Sequence, residues 1–141
     1  MFYYALECHR KVGEIVSAHN SFGSFLTEHR KQLGLTGEQM AKRLGISHAY
    51  YNAFETGRRN APEQEMLDKL ADVLCLDPSD RIALYDLAGK TRGTVAPDLP
   101  DYINNNPYVR VALRRARDSD AAMEEWLRFI ARLDKKKETI K

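Results

Sequence analysis

Apolar residues recur along this chain at the three- and four-residue spacing of helices. No segment holds the period-two alternation rich in Val, Ile and Thr that marks a strand. Residues 1 to 18 present Tyr4, Cys8, Val12 and Ile15 on one helical face, and Asn20 to Gly23 interrupts them. Five short helical segments follow. The first, Ser24 to Gln32, turns Phe25, Leu26 and Leu33 inward. The second, Gly37 to Leu44, opens on Thr36 with Gln39 three residues on, a capping box, and closes on Gly45. Ser47 caps the third, which runs to Glu55. Pro62 suits the first turn of the fourth, whose apolar stripe is Met66, Leu67, Leu70, Ala71 and Leu74. Asp77-Pro78 starts the fifth, which carries Ile82, Leu84 and Leu87 and stops at Gly89. The stretch "KTRGTVAPDLP" over 90–100, with its glycine and prolines, reads as a linker. Asn106-Pro107 opens a further helix through Arg117. The last helix, Ala121 to Lys136, sets Met123, Trp126, Leu127, Ile130 and Leu133 on one face, a stripe most simply read as core.

The expected fold is therefore all-α. A domain over 21–89 is flanked by a helical extension over 1–20, a linker over 90–106 and a C-terminal helical extension over 107–141. At 141 residues with 43% hydrophobic composition, the chain can bury one core of ordinary size. A net charge of +2 is too small to argue for a nucleic-acid partner, so any such case rests on a local patch. Cys8 and Cys75 lie far apart and outside any Cys-x-x-Cys motif, which reads as two covered thiols in a reducing cytoplasm. His9, His19, His29 and His48 lack metal-ligand spacing, so neither metal nor cofactor is expected. No apolar run approaches membrane length, and "MFYYAL" lacks the build of a secretion signal. The expectation is a soluble cytoplasmic protein.

The segment "GISHAYYNAFETGRRNAP" over 45–62 is odd for a buried helix. Its neighbours explain it. Two very short helices joined by a tight turn containing Gly45 are the layout of a helix-turn-helix, whose second helix is offered to the DNA major groove. Small Ala41 lets the two helices approach, and Ile46, Tyr51 and Phe54 face the core. Ser47, His48, Ala49, Tyr50, Asn52 and Ala53 are left on the open side. Ser, His and Asn can bond base edges, and Ala can pack on a thymine methyl. Arg58, Arg59 and Asn60 follow directly, where arginines and backbone amides can hold phosphates.

In order and spacing, "RKQLGLTGEQMAKRLGIS", "FETGRRNAP" and "LDKLADVLCLDP" resemble the phage-repressor or Xre type of helix-turn-helix domain over residues 22 to 76. The resemblance implies that the third helix reads bases through Ser47, His48, Ala49, Asn52 and Ala53, with Tyr50 touching phosphate or base. It implies that Arg30 and Glu55 form a structural pair and that Arg58, Arg59 and Asn60 hold phosphate. One position departs from the family pattern. Where the family often places a phosphate-touching glutamine, this chain has Gly37, so that contact is absent or falls to Gln39 or Lys42. The third helix also lacks Arg, Lys and Gln, which removes the arginine-to-guanine contact and leaves part of the specificity to DNA shape.

Other chemistry is not indicated. "GKT" over 89–91 ends a helix and has Leu84 where a phosphate loop needs glycine. No Ser/His/Asp or Cys/His arrangement points to catalysis, so an enzyme is not expected. Arg110, Arg114 and Arg117 share a helical face that reads as solvated. A domain with its own core leaves the C-terminal helices needing something to bury against. The sequence thus describes a sequence-specific double-stranded DNA-binding regulator, a repressor that binds a near-palindromic site as a homodimer joined through its C-terminal helices. The alternative is an antitoxin-like or defence-inhibitor module that grips a protein partner and binds DNA for autoregulation.

Overall fold

The structure, a computed structural model, describes residues 21–140. The helix expected over 1 to 18, with Cys8 on it, lies outside the described residues. Among the described residues there are eight helices and no strands: α1 (Phe22–Gln32), α2 (Gly37–Leu44), α3 (His48–Glu55), α4 (Gln64–Val73), α5 (Pro78–Arg92), α6 (Pro100–Asn105), α7 (Pro107–Asp118) and α8 (Met123–Thr139). The expected all-α class holds. Two compact units divide the described chain, residues 21–101 and residues 102–140.

Caps written in the sequence set the helix ends of the first unit. Ser21, Thr36, Ser47 and Asp77 each accept a bond from the backbone N–H three residues on. At α2 the expected capping box is complete, with Gln39 Oε1 accepting from Thr36 N at 2.9 Å. Gly45 then takes a left-handed φ of 72°, closed by Ile46 N bonding Ala41 O at 3.0 Å. The apolar faces meet in one core of Phe22, Phe25, Leu26, Met40, Leu44, Tyr51, Phe54, Leu67, Leu70, Leu74 and Leu84. Glycine permits one close approach there. A Cβ on Gly23 would stand 2.2 Å from Glu55 O, so α1 lies directly on the backbone at the end of α3.

Several expectations change. Leu33 is exposed instead of turned inward, because α1 has already ended and Leu33 is its C-cap. α4 begins at Gln64 with Glu63 as N-cap, two residues after Pro62. α5 does not stop at Gly89 but runs on to Arg92, where Gly93 at φ 65° ends it. Gly89 serves packing instead, since a Cβ there would sit 2.8 Å from Ala96 N in the returning chain. Ile82 on α5 is exposed. The stretch read as linker is partly helical, holding the end of α5 and all of α6, and it buries Ala96. Cys75 is exposed, not covered. It sits one residue past the C-cap of α4 at φ 53°, in a Schellman closure where Leu76 N bonds Ala71 O, and this turn sends the thiol outward.

In the second unit Arg110 is tied down, donating to Ile103 O at 3.0 Å and also to Asn104 O, while Arg117 pairs with neighbouring Asp118. None of the residues of α7 or α8 is buried. The α8 stripe is thus not core as expected. Leu127 and Ile130 are half-buried, whereas Met123, Trp126 and Leu133 are exposed, joined by Phe129. The apolar face is wider than the surface that covers it. None of the helices of the described residues is long and apolar enough to cross a membrane.

Candidate nucleic-acid interface

The α2–α3 pair is held from beneath by an ionic network. Arg30 donates through Nε to Glu55 Oε1 at 2.6 Å and through Nη2 to Oε2 at 3.3 Å, and its Nη1 donates to Leu35 O at 2.7 Å. Tyr51 Oη donates to the same Glu55 Oε1 at 2.6 Å. Burial alone would push the Glu55 carboxyl up, but the bonds from Arg30 and Tyr51 outweigh it and hold the group below the ordinary glutamate range. Burial, then the bond to Glu55, pushes the Tyr51 hydroxyl far up, so it stays a donor. Arg30, bonded to Glu55, is held above its ordinary value. The network fixes the end of α3 against α1 and the start of α2, as the pairing of Arg30 with Glu55 was expected to do.

With its base fixed, α3 presents a defined outer face. Ser47, His48 and Ala49 are exposed, while Tyr50, Asn52 and Ala53 are half-buried. Ser47 Oγ already accepts from Tyr50 N at 3.1 Å, which leaves its hydroxyl hydrogen for an outside acceptor. His48 leans back toward α2. A Cβ added to Gly37 would lie 3.0 Å from His48 Nε2 and 3.5 Å from Cδ2, so the missing side chain at Gly37 makes the seat of the imidazole. Tyr50 meets Phe54 edge-on at 4.9 Å between ring centres, and the Arg59 guanidinium stands 5.2 Å over the Tyr50 ring. That contact joins α3 to the loop that follows it.

Arg58, Arg59 and Asn60 are all exposed on this loop. Tyr50, Arg59 and Asn60 line one shallow groove with Phe54 and Ala61. Both backbone groups of Ala61 are gripped from α5: its N–H donates to Thr91 Oγ1 at 3.0 Å, and its carbonyl accepts from Arg92 Nε at 2.8 Å. Arg92 also pairs with Glu63 at 2.7 Å. Sequence reasoning missed Thr91 and Arg92 as holders of this loop, because no local signal links positions so far apart in the chain. It noted Gly37 only as an absent contact. A glycine directly after a helix cap was the available hint of a close approach. Of the two α2 candidates, Gln39 is exposed but has its amide oxygen committed to the capping box, and Lys42 is exposed. Among the described residues, no group of three or more His, Cys, Asp or Glu is placed to hold a metal ion.

Two short helices joined by a glycine turn, with the second offering an open polar face, define a helix-turn-helix. Residues 21–84 match the family described as "Helix-turn-helix domain". The chain is 33% identical over 66 residues to an uncharacterized HTH-type transcriptional regulator of Methanothermobacter thermautotrophicus, covering 47% of this chain and 94% of that protein. It is 29% identical over 109 residues to the uncharacterized HTH-type transcriptional regulator YqaE of Bacillus subtilis, covering 77% of this chain and 89% of that one. The chain belongs to the helix-turn-helix family of transcriptional regulators, in line with its resemblance to phage repressors. No solved structure matches it.

Proposed function

We propose that this chain is a transcriptional repressor that reads duplex DNA by laying α3 in the major groove. The observation that carries this reading is the outer face of α3. His48 and Ala49, with Asn52 and Ala53, stand on a helix locked at its far end by Arg30 and Glu55 and flanked by exposed Arg58 and Arg59. Asn52 suits an adenine edge, the alanines a thymine methyl, and His48 and Ser47 a base edge or nearby phosphate. Tyr50, Arg58, Arg59 and Asn60 hold the backbone and set the register, with Gln39 and Lys42 supporting from α2. Because no Arg lies on α3, DNA shape supplies part of the selectivity.

Residues 21–89 form the DNA-binding part and 107–141 the part that joins two copies. A single domain of this size covers little DNA, so two copies bind half-sites about 34 Å apart on a near-palindromic operator. The protein acts in the cytoplasm and performs no catalysis. A second reading, an antitoxin-like module that binds a different protein, draws support from the exposed apolar residues of α8.

Selection of bound duplexes from a random pool, followed by titration at two salt concentrations, tests the reading. An inverted repeat should be enriched, and Asn52→Ala and His48→Ala should each relax preference at defined positions. Weak, unselective binding that vanishes as salt rises would reduce α3 and its arginines to an electrostatic surface.

A further inference from the structure

Trp126, Phe129 and Leu133 follow one another on α8 at i, i+3 and i+7, which makes them one ridge. They are 38%, 48% and 50% exposed. The ridge runs beside the half-buried row of Leu127, Ile130 and Ala131. Single exposed apolar side chains need no explanation, but three large ones in a row form a patch that marks a contact surface.

Charge selects what covers it. The first turn of α8 carries Glu124 and Glu125, and the last turn carries Lys136 and Lys137. Glu125 and Lys136 lie about three helical turns apart and therefore flank the ridge on the same side, one near each end. In a second α8 laid antiparallel across the first, with the two-fold axis passing between Ile130 and Ala131, ridge meets ridge. Each Glu125 then stands opposite the partner's Lys136. A parallel arrangement carries the two copies of this flank to opposite sides of the seam, so neither Glu125 nor Lys136 meets its opposite charge there.

We propose that the Trp126–Phe129–Leu133 ridge docks a second copy of this chain in an antiparallel pairing of α8, oriented by Glu125 and Lys136. The inference gives the homodimer proposed above its surface and its direction, and it rests on that reading. With 17 residues, α8 is about 26 Å long. One ridge of that length is a small interface, so self-association belongs in the micromolar range.

The test is sedimentation equilibrium of the full chain from roughly 1 to 100 μM, without DNA. Emission of Trp126, the one tryptophan in the sequence, is followed on dilution. A monomer–dimer equilibrium with a dilution-dependent emission shift is expected. Phe129→Asp should weaken it by tenfold or more, and Glu125→Lys and Lys136→Glu should each weaken it about tenfold. An equimolar mixture of those two single variants should recover the wild-type dissociation constant, since antiparallel mixing restores both ion pairs. Glu125 also closes the helix start, its Oε2 accepting from Ala122 N at 2.8 Å. Glu125→Gln keeps an acceptor there, so weakening in that variant with unchanged helix content assigns the effect to charge. A monomer at every concentration, or a dimer that Phe129→Asp leaves intact, overturns the inference, as does failure of the mixture to recover. Binding to a single half-site is measured in parallel. A monomer that binds the half-site sinks the pairing and spares the DNA reading, whereas a dimer with no DNA affinity supports the pairing and sinks that reading.

Discussion

Glu55 is where three side chains converge, and its depressed acidity makes it a source of stability that depends on pH. A carboxyl whose folded value lies below its unfolded value stabilises the fold fully above the unfolded glutamate range. That contribution fades as pH falls through about 4.3 toward the lower folded value. Urea unfolding at pH 7 and in acid should show wild type losing stability on acidification, while Glu55→Gln starts on the order of 1.5–3 kcal/mol lower and loses less. A variant that loses as much in acid as wild type would move the acid sensitivity to another carboxylate. Two glycines supply a paired comparison. Alanine is favoured over glycine in helices by about 1 kcal/mol. At Gly23 the new Cβ meets a fixed carbonyl at 2.2 Å, so Gly23→Ala should still be net destabilising by calorimetry. At Gly37 the obstacle is the tip of an imidazole at 3.0 Å, which can move. Gly37→Ala should keep or raise the melting temperature. Its changed base preference should fall at the same positions that His48→Ala alters, as read by repeating the duplex selection.

Among the elements, α5 does more than pack. Its last turn reaches over to the loop after α3 and holds Ala61 by both N–H and carbonyl. The arginines just before Ala61 therefore start from a fixed backbone, and in the proposed complex they would lose less freedom on meeting a phosphate. Thr91→Val keeps the shape and removes the acceptor for Ala61 N. We expect a stability loss of about 1–2 kcal/mol by denaturant titration. We also expect weaker DNA binding by a similar factor on every sequence, as the proposed backbone role of the loop requires. A loss confined to one base position would place the loop in direct readout instead. The length of α5 was not legible beforehand. Gly89 looks like a stop signal in the chain, yet the helix passes through it to Gly93, and the missing side chain at Gly89 leaves room for the returning backbone at Ala96.

At the scale of the whole molecule, a small net charge coexists with a local basic edge at Arg58 and Arg59. If both touch phosphates, Arg58→Ala and Arg59→Ala should each lower the slope of log affinity against log salt by about 1, weakening specific and nonspecific duplexes alike. An unchanged slope would place that arginine away from the backbone. The sequence by itself determined the all-α class, the bounds of α2 and α3, the Thr36–Gln39 capping box and the inward Tyr51 and Phe54. These depend on contacts within one or two helical turns, where caps, glycines and apolar spacing act directly. The Arg30–Glu55 pair came from family resemblance, since nothing local joins α1 to the end of α3. Only the tertiary structure decided the rest. It seated His48 on Gly37, pinned Ala61 between Thr91 and Arg92, extended α5 past Gly89 and split the α8 stripe into a half-covered row and an open ridge. Each of these depends on what a distant segment brings alongside. Helical periodicity reports which side of a helix is apolar, but whether that side is covered is settled by the surfaces that meet it.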